Sequence, residues 1–226
     1  MKYRSSTRFI LEGLEGVAVT LAVLLTWPVS RLWLQNWGAV VEEKQRQLPG
    51  DKLVLPQHSA YTRAVTIDAP PSAVWPWLVQ FGFGRAGFYS YELLERLVGI
   101  PVKNVESIVP ECQGLTVGDS IVLHPKVPGI PVAALKGESH ICLGVDADVE
   151  HPQEKPDPGR SWSMYIEPAS GNSTRLILRG CIEPLRDSSL SGHLAIMIEA
   201  PIDFIMEQRM LRTIKRLAES DGRHPA

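Results

Sequence analysis

The polar residues best placed for chemistry gather between residues 80 and 92, where Gln80, Arg85, Tyr89, Tyr91 and Glu92 fall around two short segments. Tyrosine combines a ring that can line an apolar wall with a hydroxyl that can orient a ligand. The same residues have a plainer use, with the aromatics packing helices on a sheet and Arg85 pairing with an acid. Arg175 and Arg179 lie four apart in a stretch of strand character and so share a face with Ile177 and Cys181. Turned inward, they suit a carboxylate or a phospholipid phosphate, which guanidinium matches in bidentate fashion. Turned outward, they are solvated charges, an arrangement that Leu176 and Leu178 on the opposite face favour. His124 and His140 fall on separate strand-like segments, and histidine is the side chain most readily tuned for proton transfer near neutral pH. Glu138 lies two residues before His140 on the same strand face; the competing use for both histidines is at the surface or in structural hydrogen bonds. The catalytic candidates are Tyr89, His124 and His140.

Other chemistries lack their motifs. The chain has no HxH or HExxH, no GxSxG, and no GK[ST] behind the glycines at 82, 84 and 87. Its three cysteines, Cys112, Cys142 and Cys181, form no CxxC pair, so neither a zinc site nor a disulfide framework is expected. No metal and no cofactor is expected. Lys plus Arg number 23 against 25 Asp plus Glu, for a net charge of −2, a poor starting point for a nucleic-acid-binding role. With 44% hydrophobic and 21% charged residues in 226, the composition is that of a packed domain with an appendage.

The elements that must position these groups begin at Thr62. Residues 62–69 alternate as a strand, and Pro70-Pro71 ends it, with Pro71 suited to a first helical turn. A short helix follows over 73–82, with Pro76 inside it, then glycines and a second helix over 89–99, ended by Gly99 and Pro101. Period-two patterning then predicts strands over 117–125, 130–138, 139–148, 161–168 and 173–184, with Gly171-Asn172 as a hairpin turn. Ile202, Met206, Met210, Ile214 and Leu217 form one apolar stripe of a long C-terminal helix. A sheet followed by one long helix makes an α+β domain, and the space between them is a natural place for an apolar ligand.

Ahead of this domain, residues 1–37 carry Lys2, Arg4 and Arg8 and then an apolar segment, uncharged from Gly16 to Ser30, with Trp27, Trp33 and Trp37 at its far end. A single membrane anchor is the first expectation, with Glu12, Glu15 and Arg31 at the interfaces. A signal peptide has the right basic start but lacks a small-x-small cleavage site. A helix packed on the domain, or flat on a membrane, is the third arrangement. The charges on the two sides leave the orientation, and hence the side of the soluble domain, undetermined. Residues 38–61 read as a linker, and 150–160, with three prolines, reads as a solvated loop and a place for a protein partner.

The order of elements and several motifs resemble the helix-grip superfamily (SRPBCC), which includes START lipid-transfer domains, birch-pollen-allergen-like proteins and aromatic polyketide cyclases. The stretch from Thr62 to Glu95 is similar to a bacterial branch described as polyketide cyclase/dehydrase and lipid-transport-like. LPGD at 48–51, VGD at 117–119, TRLILR at 174–179 and FIMEQRML at 204–211 fit the same branch. The resemblance covers about residues 38–220 and implies a curved antiparallel sheet wrapped around the C-terminal helix, with the two short helices flanking the cavity entrance. It implies binding or transport of a lipid or other hydrophobic small molecule, with Trp77, Gln80, Arg85, Tyr89, Tyr91, Trp162, Arg179, Met206 and Met210 as ligand-binding candidates. The alternative it leaves open is a cyclase or dehydratase using cavity Tyr and His for proton transfer. That alternative expects at least two of Tyr89, His124, His140 and Arg179 to converge in the cavity.

Overall fold

The computed structural model describes residues 6–54, 59–145, 159–183 and 190–221. Six strands form one antiparallel sheet in the order β1-β6-β5-β4-β3-β2. They are β1 (Ser59–Ile67), β2 (Ser120–Ile121), β3 (Ile130–Lys136), β4 (His140–Gly144), β5 (Arg160–Pro168) and β6 (Thr174–Ile182). The first and last strands are therefore neighbours, in register from Ser59–Ile182 to Ile67–Thr174. Helices α3 (Pro71–Val79) and α4 (Glu92–Leu97) lie between β1 and β2, and α5 (Leu190–Asp221) closes the fold. Alternation along the strands puts Val65, Ile67, Ile141, Leu143, Met164, Ile166, Leu176 and Leu178 in one core with Met210, Leu211, Ile214 and Leu217 of α5. The C-terminal part of the expected stripe, Met210, Ile214 and Leu217, thus packs on the sheet, whereas Ile202 is exposed and Met206 packs against the cluster that α1 forms with α5.

Two elements are shorter than the pattern suggests. The stretch expected as a strand over 117–125 pairs only at Ser120 and Ile121. Ahead of it Asp119 accepts bonds from the amide and hydroxyl of Thr116, at 2.7 and 3.0 Å, and Gly118 has φ +93°. That turn leaves Val117 exposed rather than in the core. The second short helix starts only at Glu92, because Tyr89 has φ +58°, a left-handed backbone that a helix cannot include. Asn104 Oδ1 fixes that conformation by accepting from the amides of Phe88 and Tyr89 at 2.9 and 2.6 Å.

The segment expected as a linker packs on the outer face of the sheet. Helix α2 (Val41–Gln45) and a 3-10 turn (Pro49–Leu53) form a strap there, where Leu48 and Leu53 join Ala64, Cys142, Tyr165 and Ile177 in a second apolar cluster. Gly50 lies so close to the sheet that a Cβ would stand 2.2 Å from Ser163 Oγ, and its amide donates to the Tyr165 hydroxyl at 3.0 Å. Residues 55–58 of that segment, Lys2 and Arg4, and all of the loop expected at 150–160 except Gly159 and Arg160 lie outside the described residues. Arg160 opens β5.

Helix α1 (Ser6–Gln35) is apolar over Phe9–Gln35, with mean hydropathy 1.8, and is long and apolar enough to cross a membrane by length and composition. It also packs on α4 and α5, where Val23 and Leu34 are buried with Tyr91, Phe204 and Ile205.

Candidate functional site

A cavity of about 520 Å³ lies between the inner face of the sheet and α5. Phe81, Phe88 and Ile100 form one wall; Leu94 and Leu97 of α4, with Val98 just after it, form another. Trp162 of β5 and Ile182 of β6 make its floor, and Ile202, Ile205, Met206 and Met210 of α5 its roof. Gly180 of β6 borders it too, and a Cβ there would stand 2.4 Å from the Tyr61 ring. Glycine is what lets that ring lie across the neighbouring strand.

Polar groups reach this cavity mainly from one stripe of α5. Glu199, Asp203 and Glu207 recur every four residues and so share a helix face. Glu207 is fully engaged. Tyr61 Oη and Trp162 Nε1 donate to its Oε1 at 2.7 and 2.8 Å, and the buried Arg63 pairs with its other oxygen. Burial and the charge on Glu207 hold the Tyr61 hydroxyl well above its ordinary pKa, so it stays a neutral donor. Glu199 takes both arms of the Arg160 guanidinium, one of them at 2.7 Å, and this bond raises the arginine further.

Asp203, between them, has no hydrogen-bond partner among the described residues. Burial first, then the charges of Glu207 and Glu199, push its carboxyl up to about 7. Glu95, on α4, is the second such group. Burial raises it to about 7 against the opposing effect of Ser90 Oγ, which donates to it at 2.6 Å. Both carboxyls line the cavity, and each is balanced between its neutral and ionised forms near neutral pH.

The helix-grip architecture is complete in these features.

The fold is helix-grip. A curved antiparallel sheet holds a long C-terminal helix, and the helix-grip cavity lies between them. No protein-family profile matches the chain, and no curated protein matches it. Solved structures do overlap with it. A polyketide-cyclase-like protein from Corynebacterium glutamicum is 13% identical, covers 74% of this chain and 95% of its own, and has a TM-score of 0.42. A protein from Mesorhizobium loti is 11% identical over 72% of this chain and 98% of its own, with a TM-score of 0.39. One from Arthrobacter aurescens is 13% identical over 77% and 90%, with a TM-score of 0.36.

Of the nine residues expected to touch a ligand, Trp162, Met206 and Met210 line the cavity. The other six are placed elsewhere. Trp77 is 1% exposed and packs edge-on against Tyr89 in the core. Gln80 is a structural hub, donating to Tyr89 Oη at 2.8 Å and accepting from the Val109 amide at 2.9 Å. Arg85 donates to the carbonyls of Val79 and Cys112 at 2.8 and 2.6 Å. Tyr89 is fully buried beside them, and burial raises its hydroxyl far above the ordinary value. Tyr91 faces α1, with its hydroxyl 3.3 Å from Glu15 and its ring under Arg209. Arg179 lies on the outer face beneath the strap, donating to Asp51 at 2.8 Å, the Arg46 carbonyl at 2.9 Å and Thr62 Oγ1 at 3.2 Å, and to the Glu43 carbonyl.

Neither histidine lines the cavity. His140 lies on the outer face near the Tyr165 ring and against Ser139 Oγ, and burial lowers its pKa. His124 accepts from the Lys126 amide in a surface turn. Tyr89, His124, His140 and Arg179 therefore do not converge in the cavity. The groups that do, Glu95, Arg160, Glu199, Asp203 and Glu207, were outside the expected set. The four-residue spacing of the three acids on α5, flanking its apolar stripe, was a readable signal for three of them. Arg160 carried none, since it sits at the end of a proline-rich stretch.

Proposed function

We propose that this protein binds or carries a lipid or other hydrophobic small molecule in the cavity between the sheet and α5, held at a membrane by α1. The cavity carries the reading. Its volume, about 520 Å³, falls within the roughly 300–1,000 Å³ of small-molecule sites. Its walls are aliphatic and aromatic apart from the α5 stripe, Ser90, Glu95 and a few neighbours. Removing apolar ligand surface from water is favourable at roughly 25 cal/mol per Å², so binding needs no catalytic group. Met206 and Met210 suit such a pocket, because unbranched thioethers repack around ligands of different shape. The apolar character of α1 supports the membrane part of the reading. Titration of the full chain with a fluorescent fatty-acid analogue tests it: saturable binding weakened by Met206→Trp, which fills the pocket, is expected, and absence of saturable binding contradicts it.

A second reading is an enzyme of cyclase or dehydratase type. What favours it is that Glu95 and Asp203 both line the cavity with pKa values near 7, where general acids and bases work best. In this reading a protonated carboxyl donates to a carbonyl or departing hydroxyl and an ionised one takes a proton from the carbon beside it. Turnover of a ketide-like substrate that falls by roughly 10²–10⁴ in Asp203→Asn or Glu95→Gln would establish it. Unchanged turnover in both variants would remove it.

A further inference from the structure

The contacts of α1 run along its whole length on one side. Arg96 lies over the Phe9 ring at 4.9 Å, and Arg209 pairs with Glu12 at 3.0 Å and Glu15 at 3.5 Å. Gly13 and Gly16 approach α4 so closely that Cβ atoms there would stand 2.7 Å from Leu93 and 2.9 Å from Tyr91. Thr20 borders the cavity and Val23 is buried against Phe204 and Ile205. At the far end Leu34 is buried, and its carbonyl accepts from Arg63 at 3.4 Å. Just beyond, the Trp37 ring lies under Arg212 at 5.3 Å. The opposite side of the helix has no cover among the described residues. Ile10, Leu14, Val17, Leu21, Leu25 and Leu32 are 39–90% exposed together with Val29, at helical spacing along one face.

A helix of 30 residues, about 45 Å long at 1.5 Å per residue, is docked from one end to the other. Crossing a bilayer in that state would carry α4 and α5, with Arg96, Arg209 and Arg212, into hydrocarbon, which is costly for charged side chains. Yet its outward face is a continuous apolar strip. The acids of this helix turn toward Arg209, and Arg31 is the remaining described charge on the exposed side, where a long side chain can reach headgroups. Leu97 and Val98, 71% and 57% exposed, extend the apolar surface onto the rim of the cavity.

We propose that α1 does not cross the membrane but lies flat in the interfacial layer of a bilayer, its inner face docked on the domain and its outer face in the lipid. This rests on the membrane-tethered reading and deepens it, because it sets the rim at Leu97 and Val98 beside the bilayer surface, where an apolar ligand can enter without crossing water.

Cysteines placed at the two ends of the segment, Thr7→Cys in the first turn of the helix and Val40→Cys beyond its last, test the arrangement in the full chain. Both positions are exposed, and the unsubstituted protein, with Cys142 and Cys181 buried and Cys112 half-buried, gives the background to subtract. Sealed vesicles of known sidedness, made from membranes of the expressing cells, are treated with an impermeant maleimide. A flat helix has both positions labelled from the same side. Labelling from opposite sides overturns the flat arrangement and leaves the tether standing. Protein that does not float with the vesicles overturns both, including the case in which a second copy covers the strip. Leu25→Lys, on a side chain 82% exposed, should leave the fold intact and lower partitioning into vesicles roughly tenfold; unchanged partitioning would contradict the docking face.

Discussion

On the outer face of the sheet, Arg179 is 4% exposed and its guanidinium donates to four separate acceptors, while Arg175 grips Glu43 through two nitrogens at 2.7 and 2.9 Å. On the inner face, Asp203 lies between two other acids without a hydrogen-bond partner among the described residues, and Glu95 has Ser90. Both faces bury charge. They differ in how completely the charge is answered. A guanidinium that satisfies a strap's carbonyls and carboxylate fixes structure, and removing it leaves those groups stranded. A carboxyl under-partnered at a cavity wall holds its proton loosely and is available to a ligand. The arginines that look like anion binders in the sequence belong to the first class, and Asp203 and Glu95 to the second.

The largest effect should come from breaking the outer face. Arg179→Met removes one partner of a buried ion pair and takes the donor away from the buried carbonyls of Glu43 and Arg46. A stability loss of about 3 kcal/mol is expected by denaturant titration, with ligand affinity of the folded fraction unchanged. A loss below about 1 kcal/mol would mean that the strap is held by its apolar contacts instead. Gly50→Ala attacks the same face by sterics and should cost roughly 1–3 kcal/mol in the same assay, since Ser163 Oγ and the Tyr165 hydroxyl occupy the space of the new Cβ.

The inner face should show itself through pH. Asp203 and Glu95 keep their protons to about pH 7 in the folded protein, but only to about 4 in the unfolded chain. The folded state therefore binds more protons between those values. The stability this contributes is fully present below about pH 4 and is lost as pH rises through about 7. Asp203→Asn and Glu95→Gln should each flatten that decline, measured as melting temperature across pH 4–8. Curves that coincide with that of the unsubstituted protein would mean that the carboxyls titrate normally and that the contrast between the faces is false.

The smallest effects should fall on residues that chemistry singled out and the fold placed elsewhere. Tyr89→Phe loses one hydrogen bond from Gln80, worth about 1 kcal/mol, and His140→Ala should change stability less. Neither should alter ligand binding, because neither residue lines the cavity. A tenfold loss of binding in either variant would bring the outer face or the core back into the site.

The strand-helix order and the apolar stripe of α5 were legible because periodicity reports burial directly, and those elements bury one face each. Of the cavity lining, the sequence disclosed only apolar members, Trp162, Met206 and Met210. Arg179 misled for a physical reason: strand alternation tells which residues share a face, and Arg175, Ile177, Arg179 and Cys181 do share one, but not what covers it. The cover here is the segment of residues 38–54, whose Pro49-Gly50 turn reads as loop and in fact seats Gly50 on Ser163. Tyr91 likewise belongs to the packing of α1, a contact that no local pattern around residues 89–92 encodes. Asp203 was hidden because its setting depends on what packs around α5, although its spacing from Glu199 and Glu207 was in plain view.

The central claim, an apolar ligand held between the sheet and α5, is tested most directly by native mass spectrometry of this chain purified from the cells that express it, followed by organic extraction of bound species. Met206→Trp runs in parallel as the filled-cavity control. A lipid or other apolar molecule bound to the unsubstituted protein and lost from the variant is the predicted result. A protein that arrives empty and takes up no apolar molecule when lipids are added would contradict it.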